Sequence, residues 1–238
     1  MKPLKVTFLD EVFEFFSVEN ENKISVFLKQ RPENAKIFLY PSLIADFSLK
    51  SFEKGAKQAN EYYTSALIAT AFLILKRGLP LSDVLFETPI GNIEVFCTDT
   101  GWFNLKIPKC KQLLTKTSEL RGCDVQWTDL DFGCVIRAVH TDDTASFIKD
   151  SLSEFSVLDN RVPSAVILSS SENGNITVNY CTHFSKNPPS RLLLYSASAY
   201  NEYLHSGRKA SFFKSDSENI ALSADVFSVT VFAKPRFL

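Results

Sequence analysis

Residues 64–78 read Thr-Ser-Ala-Leu-Ile-Ala-Thr-Ala-Phe-Leu-Ile-Leu-Lys-Arg-Gly, and this stretch decides how the rest of the chain must be arranged. The hydroxyls of Thr64 and Ser65 can accept hydrogen bonds from the first free amides of a helix. At the other end, Gly78 can adopt the left-handed conformation that closes a helix. Between these ends, every residue except Thr70 is apolar or alanine up to Leu75. A helix without a polar stripe is surrounded by protein, so the remaining chain is expected to wrap it.

Short apolar runs separated by turn residues lie on both sides of this helix. Their Val and Phe content and the Gly-containing turns between them predict hairpins of β-strands. The strands predicted in this part of the chain are 5–8, 12–18, 23–28, 35–40, 47–52, 84–88, 93–98 and 102–107. The polar, lysine-rich stretch from 108 to about 118 is predicted to be a crossover.

The second half of the chain repeats this order more weakly. Its predicted strands are 124–128, 134–139, 163–169, 176–184, 209–214, 220–222 and 226–232, with a short helix at 142–153 and a long one at 195–206. Runs of hairpins around an apolar helix predict an α+β fold of two pseudo-symmetric halves, each an antiparallel sheet curved around a central helix. The predicted halves are 1–115, with its central helix at about 64–77, and 116–238, with its central helix at about 195–206.

Composition narrows the classes of function. The net charge is −1 with both signs interspersed, which argues against a nucleic-acid partner. No stretch is apolar for long enough to predict a signal peptide or a membrane span. Five cysteines at irregular spacing predict reduced thiols in the cytoplasm and form no paired metal motif, so neither a metal nor a cofactor is expected. The 21 phenylalanines are expected to fill core positions rather than line a ligand cavity.

One stretch carries a family resemblance. From Phe86 the chain reads Phe-Glu-Thr-Pro-Ile-Gly-Asn-Ile-Glu-Val, followed by an Asp-Thr-Gly turn and a closing Pro108. Together with 46–52, Gly55 and the apolar helix, it resembles the diaminopimelate epimerase family of cofactor-independent amino-acid racemases and isomerases. In the second half, 125–143, 163–167 and 191–207 follow the order and spacing of that family.

The resemblance implies two halves that face each other around a substrate α-carbon. In this family one cysteine at the amino end of each central helix removes or donates the proton. Those positions fall on Asn60 and near Leu194 in this chain, and no cysteine lies anywhere from Pro188 to Leu238. Two-thiol racemisation is therefore not expected. The residues expected to line the remodelled cleft are Glu11, Asn60, Glu61, Tyr62, Tyr63, Thr64, Phe132, Tyr195 and Ser196.

Three functions stay open at this point. The favoured one is a divergent, non-racemising member that binds a small carboxylate or amino-acid-like ligand, or a protein partner, in the cleft. The second is a cofactor-independent isomerase or lyase in which Glu61, Tyr62 and Tyr195 replace the cysteine pair. A carboxylate at a helix amino end is more often a cap than a base, and a base of this kind would need burial to raise its pKa. The third is a structural homodimer subunit that associates through exposed Phe and Tyr side chains.

Overall fold

The computed structural model describes residues 3–9, 11–29, 33–59, 61–80, 82–109, 112–120, 123–130, 133–138, 166–172, 175–181, 190–207, 210–214 and 219–237. The chain divides into two compact units. The first unit comprises Met1–Lys106, Ser215–Ile220 and Val231–Leu238, and the second comprises Ile107–Lys214 and Ala221–Thr230. The predicted division at 115/116 stays a prediction. No helix in the described ranges is both long and apolar enough to cross a bilayer.

The first unit is built on a mixed sheet with the strand order β16-β1-β2-β3-β4-β5-β6-β7. These strands are β1 (Leu4–Phe8), β2 (Glu11–Ser17), β3 (Ala35–Pro41), β4 (Phe47–Phe52), β5 (Val84–Thr88), β6 (Gly91–Cys97), β7 (Phe103–Pro108) and β16 (Arg236–Phe237). A 3-10 turn (Glu21–Lys23) and helix α1 (Ile24–Leu28) follow β2, and helix α2 (Tyr63–Leu75) follows β4.

The sheet is not purely antiparallel, which corrects the prediction. β2 pairs with β3, and β4 with β5, in parallel. Parallel neighbours cannot be joined by a tight hairpin, so each of these pairs needs a crossover. The first crossover contains α1, where the sequence predicted a strand over 23–28, and the second contains α2.

Helix α2 is the buried centre of the first unit, as predicted. It packs against β3, β4 and β6, and the Phe72 ring lies 4.5 Å from the Phe15 ring of β2. Thr70, its one polar residue in the middle, is fully buried and donates a hydrogen bond from its hydroxyl to the Ala66 carbonyl. Gly78 closes the helix with a φ of 68°, as predicted.

The opposite face of the same sheet is also covered. Phe16 stacks on Phe38 at 5.0 Å, and Phe27 of α1 lies 5.0 Å from Phe16. Phe52 packs edge-on against Phe38. In the described part of the first unit, phenylalanines therefore fill both sides of the sheet, which confirms their predicted core role.

The strands of the second unit follow the order β14-β13-β12-β11-β10-β9-β8. They are β8 (Gln112–Leu120), β9 (Cys123–Leu130), β10 (Gly133–Ala138), β11 (Val166–Glu172), β12 (Asn175–Cys181), β13 (Ala210–Lys214) and β14 (Asn219–Ala224). Three strands, β7, β14 and β15 (Ser228–Ala233), contribute residues to both units. The crossover predicted from 108 to about 118 is wrong, because β8 forms a long antiparallel ladder with β9. The helix predicted at 142–153 lies outside the described residues.

Helix α3 (Arg191–Ser206) of the second unit begins four residues before its predicted start. The Ser190 hydroxyl accepts a hydrogen bond from the Leu193 amide and so caps the helix, and Gly207 ends it with a φ of 70°. The helix packs against β10, β11, β12 and β13. It lies in the crossover between β12 and β13, which pair in parallel.

Candidate functional site

The approach to α2 is fixed against the edge of β4. The Ala59 amide donates to the Ser51 carbonyl at 2.9 Å, and the Glu53 amide donates to the Lys57 carbonyl at 2.8 Å. Gln58 forms an isolated antiparallel bridge with Phe52. These bonds hold the chain next to β4 up to residue 59, so the residues that begin α2 start from a fixed backbone.

Glu61 caps the amino end of α2. Its Oε2 accepts hydrogen bonds from the amides of Tyr63 at 2.7 Å and Thr64 at 3.3 Å. The predicted caps, the hydroxyls of Thr64 and Ser65, are wrong, because the helix begins at Tyr63 and its first amides bond Glu61 instead. The positive pole of this helix is therefore occupied by a carboxylate of the chain itself.

Tyr62 is fully buried in the first unit. Gln58 donates a hydrogen bond from Nε2 to the Tyr62 hydroxyl at 3.0 Å, and the backbone of Ser51 bonds the same hydroxyl. Burial raises the pKa of Tyr62, so the phenol is neutral at pH 7. This side chain is an anchor for the start of α2, and its hydroxyl is already engaged.

A second group of polar residues lies where β4 and β5 begin to pair. The Glu87 carboxylate accepts hydrogen bonds from the hydroxyls of Ser42 at 2.6 Å and Ser48 at 2.8 Å. These two hydrogen bonds hold the pKa of Glu87 below its usual range, and the bond from Ser42 has the larger effect. Tyr40 bonds Ser48, and burial with the nearby Glu21 and Glu87 charges raises the pKa of Tyr40 to about 12.

The two groups influence each other electrostatically. Lys50, which pairs with Glu21, lowers the pKa of Tyr62 against the larger effect of burial, and Glu61 raises it. The Tyr62 phenol also adds to the rise in the pKa of Tyr40. Perturbed titratable groups that gather at one place are typical of functional sites, although structural networks perturb pKa values in the same way. We define this set as the polar cluster: Glu21, Tyr40, Ser42, Ser48, Lys50, Gln58, Glu61, Tyr62 and Glu87.

Sequence reasoning found only Glu61 and Tyr62 of the polar cluster. Ser48 and Lys50 alternate with apolar residues in β4, which is the one signal that could have pointed to them. The cluster forms because the register places Tyr40 opposite Ser48, and Ser48 beside Glu87.

The other predicted site residues lie in several places. Tyr63 is partly buried and Thr64 buried in the first turn of α2, and Glu11 is exposed opposite Phe8 at the start of β2. Tyr195 and Ser196 belong to the second unit, and both are buried. They lie in the second turn of α3 rather than at its predicted start, and the Ser196 hydroxyl donates to the Leu192 carbonyl. Asn60 and Phe132 lie outside the described residues.

Metal and thiol chemistry gain no support from the described side chains. Among them, no group of three or more His, Cys, Asp or Glu residues is arranged to hold a metal ion. Cys97 of β6 is partly buried, and burial followed by the charges of Asp83 and Asp99 raises the pKa of its thiol. At neutral pH this cysteine is a thiol rather than the reactive thiolate.

Comparison with solved structures identifies proteins of similar fold. No protein-family model and no curated protein matches the sequence. A phenazine biosynthesis PhzC/PhzF protein from Clostridium difficile is similar, with a TM-score of 0.70, 13% identity, and coverage of 99% of this chain and 96% of that one. A PhzF family protein from Enterococcus faecalis is similar, with a TM-score of 0.70, 13% identity and coverage of 99% and 95%. A hydroxyproline epimerase from Agrobacterium vitis is similar at a TM-score of 0.60, with 12% identity and coverage of 99% and 90%. The chain therefore has the α+β fold of these PhzF and hydroxyproline epimerase proteins.

Proposed function

We propose that this chain is a divergent diaminopimelate epimerase-like protein without two-thiol racemase activity, whose remodelled cleft binds a small carboxylate ligand or a protein partner. The observation that carries the proposal is the cap made by Glu61. Inversion through two thiols requires a cysteine at each helix amino end. Here Glu61 fills the end of α2, and the sequence from 182 to 238, which includes the start of α3, contains no cysteine.

The Glu61 carboxylate stands where a ligand carboxylate would be expected to bind. Helix amino ends attract anions through their free amides and the helix dipole. A carboxylate ligand at α2 must therefore compete with Glu61 for the amides of Tyr63 and Thr64. We expect Glu61→Ala to bind small carboxylates more tightly than the natural protein, as measured by the ligand-induced rise in melting temperature. A smaller rise in Glu61→Ala than in the natural protein would count against competition at this end.

The loss of racemase activity is tested by hydrogen exchange. In deuterium oxide, incubation with proline, hydroxyproline, histidine or diaminopimelate should give no α-deuterium above a protein-free sample. The hydroxyproline epimerase from Agrobacterium vitis serves as the positive control with hydroxyproline. Exchange with any of these substrates would contradict the proposal.

An isomerase or lyase that uses Glu61 is the second candidate, and the likeness in fold to a protein named as a hydroxyproline epimerase favours it. In that role Glu61 would leave the α2 amides and act as the base. Exchange that is present in the natural protein and absent in Glu61→Gln would favour this candidate.

We also infer that the two units are duplicated copies, as the predicted pseudo-symmetric halves would be. In the first unit, β1 to β5 pair in the succession antiparallel, parallel, antiparallel, parallel. In the second unit, β9 to β13 pair in the same succession. The long helix of each unit lies in the last of these crossovers.

A further inference from the structure

Two exposed apolar segments lie at one end of the first unit. The turn between β3 and β4 carries Leu43 and Ile44, which are 103% and 67% exposed. The carboxyl end of α2 carries Leu75, which is 58% exposed, and the chain that follows it carries Leu79, which is 38% exposed. Single exposed apolar residues are ordinary, whereas a group of them at one place marks an interaction surface.

The topology of the sheet brings the two segments to the same end. β5 begins beside the start of β4, so α2, which follows the other end of β4, runs back toward both starts. Arg77 Nη2 donates to the Ser17 hydroxyl at 3.0 Å, and Ser17 ends β2 beside Leu39 of β3. The Asp46 amide donates to the Leu85 carbonyl at 3.1 Å, and Asp46 Oδ2 accepts from the Leu85 amide at 2.8 Å. The turn is therefore attached to the strand that the segment after α2 enters.

The exposed turn is held in one conformation. The Ser42 hydroxyl accepts hydrogen bonds from the Ile44 and Ala45 amides, both at 3.2 Å, and it donates to Glu87. The backbone under Leu43 is thus ordered before any partner arrives. An ordered surface loses little conformational entropy on association, which suits this turn to binding.

The charges beside the two segments are opposite in sign. Asp46 closes the turn and is exposed, and Asp83, just before β5, is a second exposed carboxylate. Lys76 and Arg77 follow the end of α2 and are also exposed, and each lies over a phenylalanine ring. The surface therefore has an acidic side at the turn and a basic side at the helix end.

We infer that this surface binds a second copy of the same chain. In a two-fold symmetric contact the same patch meets itself, so the turn of one copy faces the helix end of the other. The apolar turn then packs on the two leucines of the partner copy, and Asp46 faces Lys76 of that copy. One surface thus carries both parts of a complementary pair, which is why a second copy fits it. This dimer would rest on Leu and Ile side chains, where the sequence suggested Phe and Tyr.

The small size of the surface sets its affinity. A few apolar side chains form a small interface, so we expect a dimer with a micromolar dissociation constant instead of an obligate one. The surface lies at the carboxyl end of α2, about 20 Å along the helix from its Glu61 cap. A dimer formed here is therefore independent of the proposed function.

Sedimentation equilibrium over a range of protein concentrations tests the dimer. The natural protein should be largely monomeric at about 1 μM and largely dimeric at about 100 μM. Leu43→Ser/Leu75→Ser removes one leucine from each segment and should stay monomeric throughout. Val12→Ser/Ile90→Ser is the matched control, because both residues are about half exposed at the opposite end of the sheet. This control should associate like the natural protein.

Lys76→Glu tests the charges of the surface. The new carboxylate would face Asp46 twice in a symmetric dimer, so the dissociation constant should rise about tenfold or more. Lys76→Arg keeps the positive charge and should leave the dissociation constant within about twofold of the natural value. Equal dissociation constants for the two variants would contradict the pairing of the turn with the helix end.

Three results would overturn the inference. A natural protein that stays monomeric at about 100 μM has no such dimer. Association that persists in Leu43→Ser/Leu75→Ser, or that is lost in Val12→Ser/Ile90→Ser, would use another surface. Co-sedimentation of a monomeric natural protein with phosphatidylcholine vesicles, abolished in Leu43→Ser/Leu75→Ser, would assign the surface to a lipid bilayer instead.

Discussion

At the scale of single residues, Glu61 links the sequence to the possible chemistry most directly. Its carboxylate accepts from two amides at the start of α2, while the next residue, Tyr62, is buried and tethered by Gln58. The anchor fixes the backbone, and the fixed backbone lets the carboxylate turn back onto the helix. Glu61 is therefore placed by its neighbours to stabilise the helix.

Removal of this cap should destabilise the first unit. Glu61→Ala leaves two amides at the helix end without the carboxylate, and losses of this kind cost about 0.5–2 kcal/mol. The free energy of unfolding in urea measures the change. Glu33→Ala is the matched control, because Glu33 is exposed in a turn. An equal change in the two variants would show that the cap contributes nothing.

The Glu87 carboxylate makes the free energy of unfolding depend on pH in the acid range. Hydrogen bonds from Ser42 and Ser48 hold its pKa in the folded protein below the unfolded value, which is about 4.3 for glutamate. Its contribution is therefore complete above the unfolded pKa and is lost as the pH falls through the folded pKa. We expect Glu87→Gln to flatten this part of the curve of unfolding free energy against pH. An unchanged slope below about pH 4.3 would contradict the assignment.

At the scale of elements, α2 shows how much of the fold rests on one buried helix. Leu67 is 0% exposed and Leu75 is 58% exposed, although both are leucines of the same helix. Leu67→Ala should cost about 2–5 kcal/mol through lost burial and the cavity left behind. Leu75→Ala should stay within about 0.5 kcal/mol. Chemical denaturation of the two variants checks the difference, and similar losses would show that the helix is not surrounded as described.

Elements with strong local signals were predictable. The turn after β5 forms a hairpin with Thr88 opposite Gly91, and Gly78 and Gly207 end their helices. A strand was predicted over 23–28 because Ile24, Val26 and Phe27 favour strands locally, and this prediction is wrong. The parallel pairing of β2 with β3 instead requires a crossover, and the segment becomes α1. Local propensity contains no information about that pairing.

The candidate site was less predictable for a related reason. Glu61 precedes a helix that the sequence predicts, so its two alternative roles, helix cap and catalytic base, could be stated from the sequence alone. The polar cluster around Glu87 depends on strands that meet only in the folded sheet, Tyr40 opposite Ser48 and Ser48 beside Glu87. The early start of α3 likewise depends on the Ser190 cap, and it places Tyr195 and Ser196 in the second turn of the helix instead of at its start.

At the scale of the whole molecule, the first strand pairs with the last. Val6 of β1 lies opposite Phe237 of β16, and the Phe237 ring packs 6.5 Å from Phe72 of α2. Lys76 also lies over the Phe237 ring. The last strand therefore completes both the sheet edge and part of the core of the first unit.

Truncation of the Phe237 side chain should destabilise the protein. Phe237 is partly buried, so we expect Phe237→Ala to cost about 1–2 kcal/mol, less than the 3–5 kcal/mol of a fully buried phenylalanine. Phe227→Ala is the matched control, because Phe227 is 78% exposed. Thermal unfolding compares the two, and equal melting temperatures would contradict the role of β16.

Because β1 pairs with β16, the edge of β1 stays unpaired during translation until β16 has been synthesised. Lys106 ends the first long segment of the first unit, and roughly 130 further residues must be translated before Arg236 and Phe237 exist. At about 5–20 residues per second, this delay is roughly 7–26 s. Throughout it the nascent β1 presents an open edge to other chains. Association between nascent chains is therefore favoured during this interval, and the pairing of β16 with β1 ends it.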